Sequence, residues 1–318
     1  MFSDKTVYCL NSAAVGDLIA SAPALKFVID SYHTNGKFKS DYKVGIYPDF
    51  KCLFPFVPDE NFADVGVNYP ENFAVKYLNA IKVDNKNNGL HPLTCRMTPS
   101  RLKLTHYACI NLLGRILPDF DLKYVPLPKV DISRYNVDFT KAVIIVTTYR
   151  DKQRSILPEE ILKISEYVAA KGLTPVYVGK RGGISIWKTL AKCDFEYPGY
   201  GVDLRDDTSL LELASIMSVS KAVVGMDSGP LHLAFTTSVP VVCGFTTVAP
   251  EMRIPYRGLS KTYAVVPEIF CNFCESHWML SLWDFNKCPR QMELAECITK
   301  MTAKKFIFGL EQLGIFSA

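Results

Sequence analysis

The 318-residue sequence has no run of 18 or more consecutive apolar residues, so it predicts no membrane-spanning helix. Its opening residues, MFSDKTVYCLNSAAVGD, carry an acid at Asp4 and no long apolar core, so a secretory signal is not expected either. An excess of one charge is also missing. Thirty-six Lys and Arg against 32 Asp and Glu leave a net charge of +4, which admits an anionic ligand but falls well short of a dedicated nucleic-acid binder. At 48% apolar and 21% charged residues the composition argues against a disordered or low-complexity chain, and no internal repeat is visible. What is plentiful is cysteine. Ten of them in a leaderless chain of this size point to a reducing, cytoplasmic setting with free thiols rather than a disulfide framework. The length exceeds what one core usually serves, so two domains of about 150 residues are expected.

The pattern along the chain is strand, helix, strand, repeated. TVYCLN (6–11) reads as a buried strand, and VGDLIASAPALKFVIDSY (15–32) has apolar residues at helical spacing. YKVGIYP (42–48) is a second strand and FADVGVN (62–68) a third. A polar, Asn/Gly/Pro-rich stretch over 82–100 is a loop, and 100–117 is an amphipathic helix. The Pro-rich segment 118–138 places the interdomain linker near its end. The second half starts afresh with strands at 141–149, 174–180, 221–225 and 240–245. Helices at 158–172, 208–220 (opened by Thr208) and 229–238 alternate with them. Short connections between such elements predict an α/β architecture of two Rossmann-like, doubly wound parallel sheets. The expected domains are 1–138, 139–300 and a terminal helix, 301–318, crossing back to the first.

Ligands of open parallel sheets bind at the carboxyl ends of the strands. Four loops of the second half occupy that edge: TTYRDKQR with Arg150, Lys152 and Arg154; VGKRGG with Gly179 and Lys180; MDSGPLH with Asp227, Ser228, Gly229 and His232; and GFTTVAP with Thr246 and Thr247. Cations, hydroxyls and helix starts together suit a nucleotide diphosphate better than a bare metal or a free carboxylate. Plainer readings stand beside this one. Asp227 or Ser228 is equally suited to capping a helix, His232 to lying in the core, and the Arg150–Arg154 loop to solvation. In the first half, Asp17 follows small residues at a strand-to-helix turn. It reads either as a favourable first-turn acid or as a general base for an acceptor hydroxyl.

Three segments in order resemble glycosyltransferase family 9, the heptosyltransferase family of GT-B fold: VGDLIASAPALK, THYACINLLG (105–114) and the long block 208–256 around DSGPLH. The resemblance implies an inverting, metal-independent transfer of a sugar from a nucleotide-diphosphate donor such as ADP-heptose. Asp17 is then the catalytic base. Asp227, Ser228, Gly229 and His232 become the donor contacts, with Thr246 and Thr247 nearby. The family's phosphate-binding lysine falls among Arg150, Lys152 and Arg154 without a unique match, because this loop lacks the usual tryptophan.

The acceptor is less determined. A lipopolysaccharide-core saccharide is the family's usual acceptor and brings peripheral proximity to a membrane. Phage-borne relatives suggest hydroxymethylated pyrimidines in DNA instead, and a non-catalytic sugar-nucleotide-binding module is a third reading. The basic residues Arg96, Arg101, Lys103 and His106 suit a phosphorylated sugar or DNA alike. Finally, Cys271, Cys274, Cys288 and Cys297 form a C-x2-C-x13-C-x8-C pattern that suits a structural zinc, with His277 as a substitute ligand. The alternative is four ordinary thiols around the aromatic patch of Phe273, Trp278, Trp283 and Phe285.

Overall fold

The computed structural model describes residues 5–10, 15–34, 41–63, 74–77, 123–147, 152–181, 195–255, 262–274, 288, 290 and 295–317. The chain divides into two compact units. Unit 1 takes Met1–Leu127 with Ile254–Tyr256, and unit 2 takes Pro128–Arg253 with Arg257–Ala318.

Unit 1 is built on a four-stranded parallel sheet of β1 (Lys5–Cys9), β2 (Asp41–Gly45), β3 (Phe62–Ala63) and β4 (Ala74–Tyr77), in the order β3-β2-β1-β4. The helix α1 (Val15–Val28) follows β1. Gly16, Leu18 to Leu25 and Val28 are all buried, so α1 is covered nearly all round rather than along one stripe. A π-helical turn, Ile29–Thr34, continues it. That turn brings His33 Nε2 to 2.8 Å from the hydroxyl of Tyr8 on β1, closing the core with a satisfied polar pair.

Unit 2 holds a six-stranded sheet: β5 (Ala142–Val146), β6 (Thr174–Val178), β7 (Val202–Asp203), β8 (Ala222–Met226), β9 (Val241–Gly244) and β10 (Thr262–Val265). The order is β10-β9-β8-β5-β6-β7 and every pairing is parallel. Every residue of β5, β8 and β9 is buried, as expected for strands covered on both faces. The helices are α2 (Pro158–Ala170), α3 (Leu210–Val219), α4 (Gly229–Ala234), α5 (Glu296–Thr299) and α6 (Ala303–Gln312). Pro158 at the start of α2 and Glu159 and Glu160 in its first turn act as anticipated, and Gly172 follows its end with a φ of 74°.

Two expectations about organisation change. The units part after Leu127, not near residue 138. This segment is tied to unit 2: the Val130 backbone N–H donates to Ser215 Oγ at 2.9 Å, and Arg134 Nε donates to Glu212 Oε1 at 2.7 Å. The cap of α3 is Ser209 rather than Thr208. Its hydroxyl accepts from Glu212 N–H while Glu212 closes a capping box. The terminal helix packs on unit 2. Ala303 N–H donates to Glu160 of α2 and Tyr167 OH donates to Glu311, while Phe306, Gly309 and Leu310 are buried. Gly309 lies flat on the sheet, where a Cβ would stand 2.7 Å from Tyr263 and 2.9 Å from Val242.

Candidate functional site

Strand order fixes where the site lies. From β5 the chain goes outward through β6 and β7, then returns to lay β8 against the other edge of β5. Loops leaving β5 and β8 therefore diverge at their carboxyl ends, the switch point where open parallel sheets bind ligands. Asp227 is the first residue past β8, and its N–H is tied to Gly244 O at 3.0 Å. Gly225 allows this turn, since a Cβ there would stand 2.7 Å from Leu231 of α4 and 2.9 Å from Val146 of β5. The glycine serves packing.

Asp227 is nearly buried and draws two arginines and a histidine around itself. Arg154 Nη1 and Arg253 Nε both stand 3.4 Å from Oδ2, and His232 Nε2 stands 3.4 Å from Oδ1. Burial alone would raise the Asp227 carboxyl. The hydrogen bond with His232 and the charges of Arg154 and Arg253 outweigh it and hold the group well below the usual carboxylate range. Arg154 also donates from Nε to Thr247 Oγ1 at 3.3 Å, and the hydroxyl of Thr246 bonds the carbonyl of Gln153. The loops after β5, β8 and β9 are thus knitted into one charged patch.

This geometry decides among the plainer readings. Ser228 stands at the cap position of α4, yet its side chain makes no capping bond. His232 is 3% exposed and has both a core contact, edge-on to Phe235, and an ionic one, Asp227. Arg154 is no solvated loop residue. Three buried polar atoms here have no hydrogen-bond partner: Gln153 Oε1, Asp227 Oδ2 and Ser228 Oγ. Asp227 Oδ2 is compensated by the two arginines, whereas Gln153 Oε1 and Ser228 Oγ are buried polar atoms that a ligand or water would satisfy. With α4 only six residues long, positive charge here comes from the arginine side chains more than from the helix end.

The other expected donor residues are elsewhere. Gly179 turns with a φ of 124°, its carbonyl accepts from Asp206 N–H, and the exposed Lys180 pairs with Asp206 at 3.5 Å. These form a separate turn after β6. Arg150 lies outside the described residues, as do Arg96, Arg101, Lys103, His106 and His277. The backbone of Lys152 belongs to a 3-10 turn, Lys152–Arg154. Asp17 lies in the first turn of α1, partly exposed, and its carbonyl accepts from Ser21. Sequence reasoning alone passes over Arg253. Its only signal is a single arginine just past the TTVAP loop.

The four tail cysteines come near one another. Burial first, and then the neighbouring thiols of Cys274, Cys288 and Cys271, push Cys297 up to about 12. Arg290 Nη1 stands 3.7 Å from Cys271 Sγ. Four soft sulfurs suit a thiophilic metal in kind. As they stand, however, no three or more His, Cys, Asp or Glu side chains among the described residues are drawn together to hold an ion. Phe273 N–H donates to Thr246 O at 2.8 Å, and Leu157 packs beside Cys288 and Cys297, so this segment abuts the loops that carry the charged patch.

Comparison with known proteins gives a family match for one segment and a fold for the chain. Residues 187–269 match the model of "Glycosyltransferase family 9 (heptosyltransferase)". No curated protein matches significantly in sequence. Among solved structures, the iron-containing dodecameric glycosyltransferase TibC from enterotoxigenic E. coli H10407 is similar at a TM-score of 0.72 and 16% identity, over 97% of this chain and 76% of TibC. TibC has also been solved in complex with ADP-D-beta-D-heptose. A family 9 glycosyl transferase from Veillonella parvula DSM 2008 aligns over 100% of this chain and 98% of its own, at a TM-score of 0.65 and 12% identity. The ADP-heptose lps heptosyltransferase II of E. coli aligns over 97% and 98%, at 0.58 and 12%. No helix among the described residues is long and apolar enough to cross a membrane. The chain therefore has an α/β fold of the GT-B type, shared with the heptosyltransferases it resembles, and residues 187–269 of it match the glycosyltransferase family 9 model.

Proposed function

We propose that this protein is a glycosyltransferase that takes a sugar from a nucleoside-diphosphate donor, ADP-heptose or a close relative, and transfers it to a hydroxyl of a saccharide acceptor. The observation that carries this reading is the patch at the β5/β8 switch point. There Arg154 and His232 are gathered on a buried carboxylate, beside two unsatisfied polar atoms, Gln153 Oε1 and Ser228 Oγ. Cations there would receive the diphosphate, and Gln153 and Ser228 would bond hydroxyls of the ribose or the sugar. In the reaction the acceptor O–H gives its proton to the Asp17 carboxylate. The oxygen bonds the anomeric carbon while the bond from that carbon to the diphosphate oxygen breaks, and the electron pair leaves with the nucleoside diphosphate. Attack from the side opposite the leaving group inverts the anomeric centre. The charge growing on the diphosphate is stabilised by fixed cations, which is work a divalent ion does in other transferases.

Two outcomes test this mechanism. Transfer, read as release of nucleoside diphosphate and glycosylated product, is expected to persist in a chelator. Asp17→Asn is expected to slow it by about 10²–10⁴-fold while donor affinity is retained. Parental turnover in the variant would remove Asp17 from the mechanism, and a parent that binds donor yet turns none over would favour a non-catalytic module.

The cysteine segment enters as structure. We propose that Cys271, Cys274, Cys288 and Cys297 close on one structural metal ion, zinc by their spacing, which braces the Thr246 loop through Phe273. TibC, described as iron-containing, makes iron the competing metal. Elemental analysis is expected to find about one equivalent of metal per chain, lost in Cys274→Ser together with melting temperature. A metal-free protein of unchanged stability would leave four plain thiols.

A further inference from the structure

Nothing in the family resemblance points to Arg253, but its place in the structure does. It follows the short 3-10 turn Pro250–Met252, is only 7% exposed, and comes six residues after Thr247 in the loop leaving β9. Its Nε approaches the same Asp227 oxygen as Arg154 Nη1, and each is 3.4 Å away. Two guanidiniums about one oxygen repel each other, and the carboxylate between them offsets that repulsion. Asp227 supplies one negative charge, while Arg154, Arg253 and His232 converge on it. Two guanidiniums on one buried carboxylate oxygen concentrate positive charge at the switch point, which an anion of more than one charge would match. Arginine suits that role, because its planar fork matches phosphate oxygens two at a time.

We propose that Arg253 binds the donor's diphosphate together with Arg154, and that Asp227 acts as a positioning residue that aims both guanidiniums without touching the sugar nucleotide's phosphates. The proposal rests on the donor reading above and deepens it. It names the residue that makes the site select a diphosphate over a monophosphate. Arg253 as a mere counter-ion to Asp227 would contribute to folding and leave that selection untouched.

The test measures binding to the full-length protein by calorimetry, with ADP, AMP and adenosine and the matching uridine, guanosine and cytidine series. The parent is expected to prefer one diphosphate over its monophosphate. In Arg253→Gln the diphosphate should weaken by about 10–100-fold, the loss of a charged hydrogen-bonding partner, while the monophosphate changes by no more than about threefold. Arg253→Lys keeps the charge and loses the fork, so it should fall between, and it decides the question if the Gln variant does not fold. An unchanged diphosphate-to-monophosphate ratio in a folded variant would overturn the role of Arg253 and leave the donor reading intact. A parent that binds no nucleotide would overturn the donor reading itself.

Discussion

Asp227 is the residue on which the site turns, and its chemistry is electrostatic. Burial disfavours its charge, but His232, Arg154 and Arg253 hold the carboxyl below its ordinary 3.8. A carboxylate depressed in the folded state contributes stability that is complete above the unfolded value and is lost as pH falls through the folded one. Asp227→Asn removes that contribution and leaves two guanidiniums facing each other. We expect it to cost about 3–5 kcal/mol at neutral pH, with the gap to the parent narrowing below about pH 4. Urea unfolding across that range checks it, and a constant gap would mean the cost is packing. Asp227, Ser228 and His232 are visible in the sequence as a group, through the residue types that follow an apolar strand. That Asp227 serves the arginines is not visible there, because Arg154 and Arg253 lie 73 and 26 residues away in sequence and only the sheet brings them together.

Elements are legible in the sequence wherever burial is total. The apolar runs that form β5, β8 and β9 need no context, and the Pro, acid and Gly punctuation around α2 marks both its ends. Short elements are not legible. Two-residue β7 is too brief to show a period, and β10 reads as an ordinary loop until β9 pairs with it. Thr208 and Ser209 are equal cap candidates in sequence, and only Glu212 three residues on from Ser209 decides between them. The amphipathic pattern of the terminal helix is plain, but a pattern does not name its partners, which include α2 through Glu160 and Tyr167. Its register on β9 and β10 is set by Gly309. Gly309→Ala drives a methyl into Tyr263 and Val242, and is expected to destabilise by about 1–3 kcal/mol despite the better helix propensity of alanine. Thermal melting decides this, and a stabilised variant would show that α6 stands further from the sheet.

At the scale of the molecule, two parallel-sheet units carry the expected architecture, and the strand order β10-β9-β8-β5-β6-β7 gives unit 2 the switch point that a nucleotide needs. Prolines suggest a break near residue 138, whereas Arg134 and Val130 bind that segment to α3 and move the boundary upstream. The functional reading stands or falls on whether unit 2 receives a nucleoside diphosphate. The melting temperature of the purified protein with ADP, UDP, GDP or CDP and no added metal tests this. A ligand at 100 times its dissociation constant stabilises by about 2.7 kcal/mol, which moves a melt visibly. We expect a clear shift with one diphosphate, ADP first, and a smaller one with its monophosphate. A melt unmoved by all four would contradict a diphosphate site at the Asp227 patch.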